Sequence, residues 1–237
     1  MTILREALDE RQVEFDAHYH LATALEQRMM LGSDGAVGAV VLSTRHINTI
    51  KSGLLVHLYN IEESIMSKAM EFLAASLVAA DPRRWTADSL REWLRASAIG
   101  SLADSSEDGR LRSIHHSSSQ LLAAHIPGPS ALKKPSGTWD DKRIGIFAKR
   151  MSVNLNLPAD LLRRIAKNAR YGDKTPLQAL AIRRNAIAHG SRSFEEGASD
   201  MMLVDIRQLA DVVLDYMGYV ADAFHNHVEN ELHLVAL

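Results

Sequence analysis

Arginine, asparagine and histidine meet in one short run of the chain, as Arg184, Asn185 and His189 in Thr175-Pro-Leu-Gln-Ala-Leu-Ala-Ile-Arg-Arg-Asn-Ala-Ile-Ala-His-Gly190. Histidine can take up or release a proton near neutral pH, and a guanidinium fork fits two phosphate oxygens. Together they could stabilise an anionic transition state and move its protons without a metal.

The run reads as a helix with both ends marked. Thr175 and Gln178 make a capping box, Pro176 occupies the first helical position, and Gly190 is a left-handed stop. At 100° per residue, Leu177, Leu180, Ala181, Ile187 and Ala188 share one face, and Arg184 falls within it. A guanidinium there needs a buried partner, a subunit interface or a ligand to offset its desolvation. Asn185 and His189 are four apart and lie on the flank beside it, with His189 in the last turn, where the helix dipole favours positive charge.

A loose spacing of Arg and His also occurs from Arg110 to His115, Arg11 to His18 and Arg183 to His189. Only Arg184 to His189 combines a capped helix, an Arg on the apolar face, a polar residue directly after it and a Gly stop. These residues resemble the Arg-Asn-x-x-x-His signature of the HEPN superfamily, all-helical domains many of which are metal-independent ribonucleases. The longer run Arg183 to Phe194, with Leu-Tyr-Asn-Ile-Glu-Glu-Ser64 upstream, resembles the MAE-type bacterial branch, over about Ile47 to Tyr219.

The resemblance implies an all-α, dimeric HEPN-like bundle of long antiparallel helices. Two protomers would bring their signature helices together across a two-fold axis, so that one composite site holds two copies of Arg184, Asn185 and His189. RNA would be cleaved by attack of its own 2′-OH, with His189 transferring protons, Arg184 stabilising the phosphorane-like transition state, and Asn185 orienting His189 or the phosphate. It further implies that an acidic residue of an earlier helix orients the signature Arg. Some members carry a Tyr two residues beyond the His, where an antitoxin modifies it; here Gly190 and Ser191 follow. A protein antitoxin that blocks the cleft, or another defence-system partner, is the expected control. A non-catalytic HEPN-like module that holds RNA, a nucleotide or a partner protein is the alternative. A third reading is a helical subunit whose Arg184 serves only the dimer interface.

Two acids could support Arg184. Glu62 interrupts a stripe of Leu55, Leu58, Ile65, Ala69 and Phe72, and Glu63 interrupts the adjoining stripe of Val56, Tyr59, Met66, Met70 and Leu73. The position after Leu-Tyr-Asn favours Glu63, with Glu62 close behind.

The 237 residues contain no cysteine, which excludes disulfides, thiolate zinc sites and a cysteine nucleophile, and makes the cytoplasm the expected compartment. The first residues, Met1 to Asp16, carry acids and no apolar core of a signal peptide, and no run approaches the ~18–20 apolar residues of a membrane span. No cofactor is expected, because phosphate-binding glycine loops are absent.

Helix-period patterning dominates, with the prolines and Gly/Ser clusters between the periodic runs. Helices are expected over about Leu4–Leu31, Val37–Ala80, Ala87–Gly100, Arg110–His125, Asp140–Val153, Pro158–Asn168, Thr175–His189 and Asp200–Asn230. Gly32 to Gly35 breaks the first two, and Pro127-Gly-Pro129 with Lys133 to Gly137 makes a loop. The whole chain, 1–237, reads as one domain, with about 81–135 as an inserted or variable helical segment.

Charge is polarised. Residues 133–192 hold fourteen Lys and Arg against four Asp, a local charge of +10 within a chain whose net charge is −2. Because this block contains the signature helix, it suits a phosphodiester partner, RNA, with Arg183, Arg163, Arg164, Lys167, Arg143 and Arg150 as candidate contacts. His18, His20, His115, His116, His225, His227 and His233 lack a ligand pattern at metal spacing and are expected to be scattered surface residues. Trp85 and Trp139 are expected to pack rather than stack on bases.

Overall fold

Apolar residues recurring at helical spacing fold into eight α-helices among the described residues: α1 Ile3–Met29, α2 Thr44–Ala79, α3 Ala87–Leu94, α4 Glu107–Leu122, α5 Asp141–Arg150, α6 Ala159–Arg164, α7 Pro176–Ala188 and α8 Leu203–Glu229. The computed structural model describes residues 2–99, 106–126 and 132–235. Among them there is no strand, only isolated bridges, and the fold is all-α. The loop at Pro127-Gly-Pro129 and the expected helix end at Gly100 lie outside the described residues.

The frame is α1, α2 and α8 packed together, with α7 against α2 and α8. Leu8 and Phe15 of α1, Leu55, Leu58 and Ile65 of α2, and Val213, Met217 and Phe224 of α8 are buried at the shared core. Each such side chain contributes roughly 1.5–3 kcal/mol by leaving water. The 36 residues of α2 give it a length of roughly 54 Å, so one helix spans the frame and still presents a face to the site.

Boundaries shift by a few residues at several helices and most at two. The second helix begins at Thr44 rather than Val37, because Val37 and Val40 exchange backbone hydrogen bonds of 3.0 and 3.2 Å around Gly38. Ser43 then caps α2, its N–H donating to His46 Nδ1 at 3.0 Å. The third helix stops at Leu94 and gives way to a π-helical turn, Arg95–Ile99. In the 81–135 stretch Trp85, Trp93, Ile126 and Leu132 are buried with the main core, and Trp85 donates its indole N–H to the Leu77 carbonyl at 3.1 Å.

The expectation of scattered surface histidines fails at two positions. His227 and His233 are buried, because the segment after α8 folds back on α2 and α3: Ser76 Oγ meets His233 Nε2 at 2.7 Å, and Ser89 Oγ donates to the His233 carbonyl at 2.8 Å. Burial pushes His227 down to about 4.

Candidate functional site

The site forms where α2, α7 and the extended segment before α5 converge. Thr175 Oγ1 accepts from the Gln178 N–H at 3.1 Å, and the Gln178 side chain returns to the Thr175 N–H at 3.4 Å, closing the capping box of α7. Thr175 also donates to Asp141 Oδ1 at 2.5 Å, which pins the start of α7 to the first turn of α5. At the other end Gly190 takes φ +71°, where a side chain would be strained, and the chain turns back. Gly197 then passes so near α7 that a Cβ there would come within 2.6 Å of Ile187 and 2.7 Å of Ser52.

Leu177, Leu180, Ala181 and Ile187 bury the inner face of α7, while Ala188 is exposed. Arg184 is half-buried, its side chain 25% exposed, and three groups hold it. Its Nη2 donates to Glu63 Oε2 at 3.1 Å, its Nη1 donates to Asn185 Oδ1 at 3.2 Å, and its guanidinium lies 4.4 Å from the centre of the Tyr59 ring. The ring contact adds about 0.5–2 kcal/mol to the ion pair and fixes the plane of the fork. Asn185 Nδ2 donates to Thr138 Oγ1 at 2.7 Å, so the residue after the Arg is tied to the extended segment. His189 follows the end of α7, is exposed, and its ring has no hydrogen-bond partner among the described residues.

Of the two candidate acids, Glu63 is the one that reaches Arg184. Glu62 is fully buried, and neither of its oxygens has a partner among the described residues. Burial, followed by the nearby charges of Asp140 and Asp141, holds its carboxyl well above the usual range. The fold therefore favours its protonated form, whereas in the unfolded chain it ionises above its ordinary value of 4.5. The stabilisation this proton carries is complete below 4.5 and is lost as pH rises toward the raised folded value. Glu62→Gln, neutral in both states, should thus be more stable than the native chain at pH 8 and equal to it near pH 4. A thermal melt should move up ~2–4 °C for each ~1 kcal/mol recovered. Parallel melting curves for both proteins across pH 4–8 would refute a neutral Glu62.

Several basic candidates are engaged elsewhere. Arg183 forks onto Asp200 at 2.7 and 2.6 Å and anchors the loop after α7; Arg164 pairs with Asp215 at 2.5 Å. Arg143 bonds Asp140, the N-cap of α5, at 2.9 Å, and Arg150 bonds the buried Glu92. Arg163 and Lys167 are exposed, with no carboxylate partner among the described residues.

Two residues of the site were not among the candidate site residues of the sequence. Tyr59 carries a readable signal, since it precedes Glu63 by one helical turn on the same stripe. Lys134 carries none: it belongs to a non-periodic loop, yet its Nζ donates to Glu63 Oε1 at 3.0 Å and lies 5.1 Å from the Trp139 ring centre. The Trp139 N–H donates to Tyr59 Oη at 3.0 Å, so the same segment holds both the ring under Arg184 and the acid beside it. No group of three His, Asp or Glu among the described residues is placed to hold a metal ion.

An all-helical bundle that presents an acid-held Arg and an exposed His from one capped helix defines a class of helical domain with an Arg/His centre. The family model of the MAE-like HEPN domain matches residues 2–232, and the chain belongs to that family. The match is wider than the Ile47 to Tyr219 stretch of the motif resemblance and takes in all of α1 and α8. No curated protein and no solved structure matches the chain. Among the described residues no helix is long and apolar enough to cross a membrane.

Proposed function

We propose that this HEPN domain is a metal-independent endoribonuclease of toxin or defence type, acting as a homodimer in which α7 of each protomer lines one composite site. The observation that carries this reading is the contrast between Arg184, clamped by Glu63, Tyr59 and Asn185, and His189, exposed with its ring unengaged among the described residues. A fixed cation and a free acid–base group are the two parts that cleavage through the 2′-OH requires.

Positions five apart on an α-helix diverge by about 140°, so Arg184 and His189 of one chain face different directions. A second copy of α7 across a two-fold axis supplies each His with an Arg, and the site is incomplete without it. His189 takes the 2′-OH proton while a second His returns one to the leaving 5′-oxygen. Arg184 stabilises the charge on phosphorus, and Asn185 orients the phosphate or the imidazole. Arg163 and Lys167 extend the cationic surface, with Arg183, Arg164, Arg143 and Arg150 adding their field from within ion pairs. RNA is the substrate class, and a protein that covers the cleft is the expected partner.

The test is cleavage of RNA by purified protein in EDTA. Cutting should persist, leave a 2′,3′-cyclic phosphate on the upstream fragment, and spare DNA of the same sequence. Light scattering should give twice the 26.2 kDa chain mass. RNA that is bound and left intact, with or without divalent ions, would favour a non-catalytic binding module.

A further inference from the structure

We infer that a cationic cleft along α5 is the track for single-stranded RNA backbone leading away from Arg184 and Asn185. A cavity of about 580 Å³ lies between α5 and the extended segment before it, lined by Arg95, Lys133, Lys142, Arg143 and Arg150 among others, with no carboxylate in its lining among the described residues. A second, of about 410 Å³, continues from it: Lys142 and Arg143 line both, and it runs on past Lys174 and Gln178 to Thr138 and Asn185. The two make one groove whose far end is the amide next to Arg184.

The floor of this groove is built, and its walls are free. Glu92, with a side chain only 2% exposed, accepts from Arg95 Nε at 3.0 Å and from Arg150, so two guanidinium groups are fixed from beneath by one buried carboxylate. Arg150 also donates to the Lys133 carbonyl at 3.3 Å and holds the extended segment over the groove. Asp140, which lines the second cavity, is occupied by Arg143. Lys133, Lys142 and Lys174 have no carboxylate partner among the described residues, so three ammonium groups remain along the walls.

Like charges gathered in a concave lining raise the local potential and favour a polyanion with regularly repeated charge. A concave track also suits one flexible strand better than the rigid convex edge of a duplex. The continuity of the groove with Asn185 favours RNA, whose chain runs through the Arg/His centre, over an acidic protein segment, which could cover that centre without following the groove. The assignment rests on the proposed ribonuclease reading only for its direction toward that centre.

The test uses the full chain and a fluorescent 2′-O-methyl oligouridine, which cannot be cleaved through its 2′-oxygen. With three lysine contacts, log Kd should change with log salt by about 2 units per decade, at ~0.7 per neutralised phosphate. Lys133→Ala/Lys142→Ala should lower that slope by about 1.4 and weaken binding roughly twentyfold at 0.1 M salt. Lys68→Ala/Lys149→Ala, which removes two exposed lysines outside both cavities, one of them on α5, should change neither. An unchanged slope in the cleft variant, an equal fall in the control, or polyglutamate binding in place of the oligonucleotide overturns the track. If the cleft variant behaves as expected while RNA stays uncut by the native chain, the track stands and the ribonuclease reading fails. If RNA is cut but the cleft variant binds as the native chain does, the track fails alone.

Discussion

His189→Ala should lower RNA cleavage by about a hundredfold to ten-thousandfold, the range supplied by a positioned acid–base group, and leave RNA affinity within about twofold of the native protein. The separation of the two effects follows from placement. His189 lies beyond the last residue of α7, is exposed, and engages no side chain among the described residues, so its removal leaves no buried partner unsatisfied and no cavity. Its loss should therefore cost turnover without costing fold or binding. The measurement is single-turnover cleavage of a labelled RNA alongside anisotropy binding and a thermal melt. Full activity in His189→Ala would remove histidine from the mechanism, and an equal fall in affinity and turnover would make it a binding residue.

Arg184→Ala should also lower cleavage, by about a hundredfold to a thousandfold, as expected when a donor aimed at developing charge is removed. Here stability should fall as well. The substitution leaves Glu63 with Lys134 alone, uncovers the face of Tyr59 and frees Oδ1 of Asn185, whose Nδ2 stays on Thr138. Glu63 keeps its Lys134 contact, so the cost is that of the lost guanidinium–carboxylate bond together with the ring and amide contacts, below that of an uncompensated buried charge. Arg184→Lys should not restore activity, since an ammonium cannot bond Glu63 and Asn185 at once in the planar fork geometry while lying on Tyr59. Glu63→Gln separates the two roles. It removes the carboxylate but leaves the guanidinium, so a loss of turnover much smaller than that of Arg184→Ala is expected, with a comparable loss in melting temperature. Analytical ultracentrifugation should show both variants dimerising more weakly than the native chain. Arg184→Ala that cuts RNA at the native rate would assign the Arg to architecture alone.

Much of the site was readable because its local parts are encoded locally. Thr175, Pro176, Gln178 and Gly190 set where α7 starts and stops through contacts within a few residues of each other, and the 100° period put Leu177, Leu180 and Ile187 inside. The same logic gave eight helical runs and an all-α fold. It erred where a local turn or a tertiary contact outweighed periodicity. The valines after Gly35 continue a helical pattern, yet Val37 and Val40 close a turn around Gly38, and α2 waits for Ser43. His227 and His233 read as polar punctuation at the chain's end until the last residues fold back against Ser76 and Ser89.

The sequence by itself determined which residues could act as cation and proton carrier, that they share one capped helix, and that a basic block surrounds them. These follow from residue chemistry and from interactions spanning one or two helical turns. Which acid meets Arg184 was decided only by the tertiary structure. Glu62 and Glu63 are adjacent in sequence and 100° apart on α2, and the packing of α2 sends the first into the interior and the second to α7. Tertiary structure likewise decided which cations are free. A charge count weighs Arg150 and Lys142 equally, but a buried Glu92, 58 positions from Arg150 and shared with Arg95, pairs with the first, while Lys142 on the same groove has no carboxylate partner among the described residues. Electrostatic energy depends on distance and burial, and neither is a property of position along the chain.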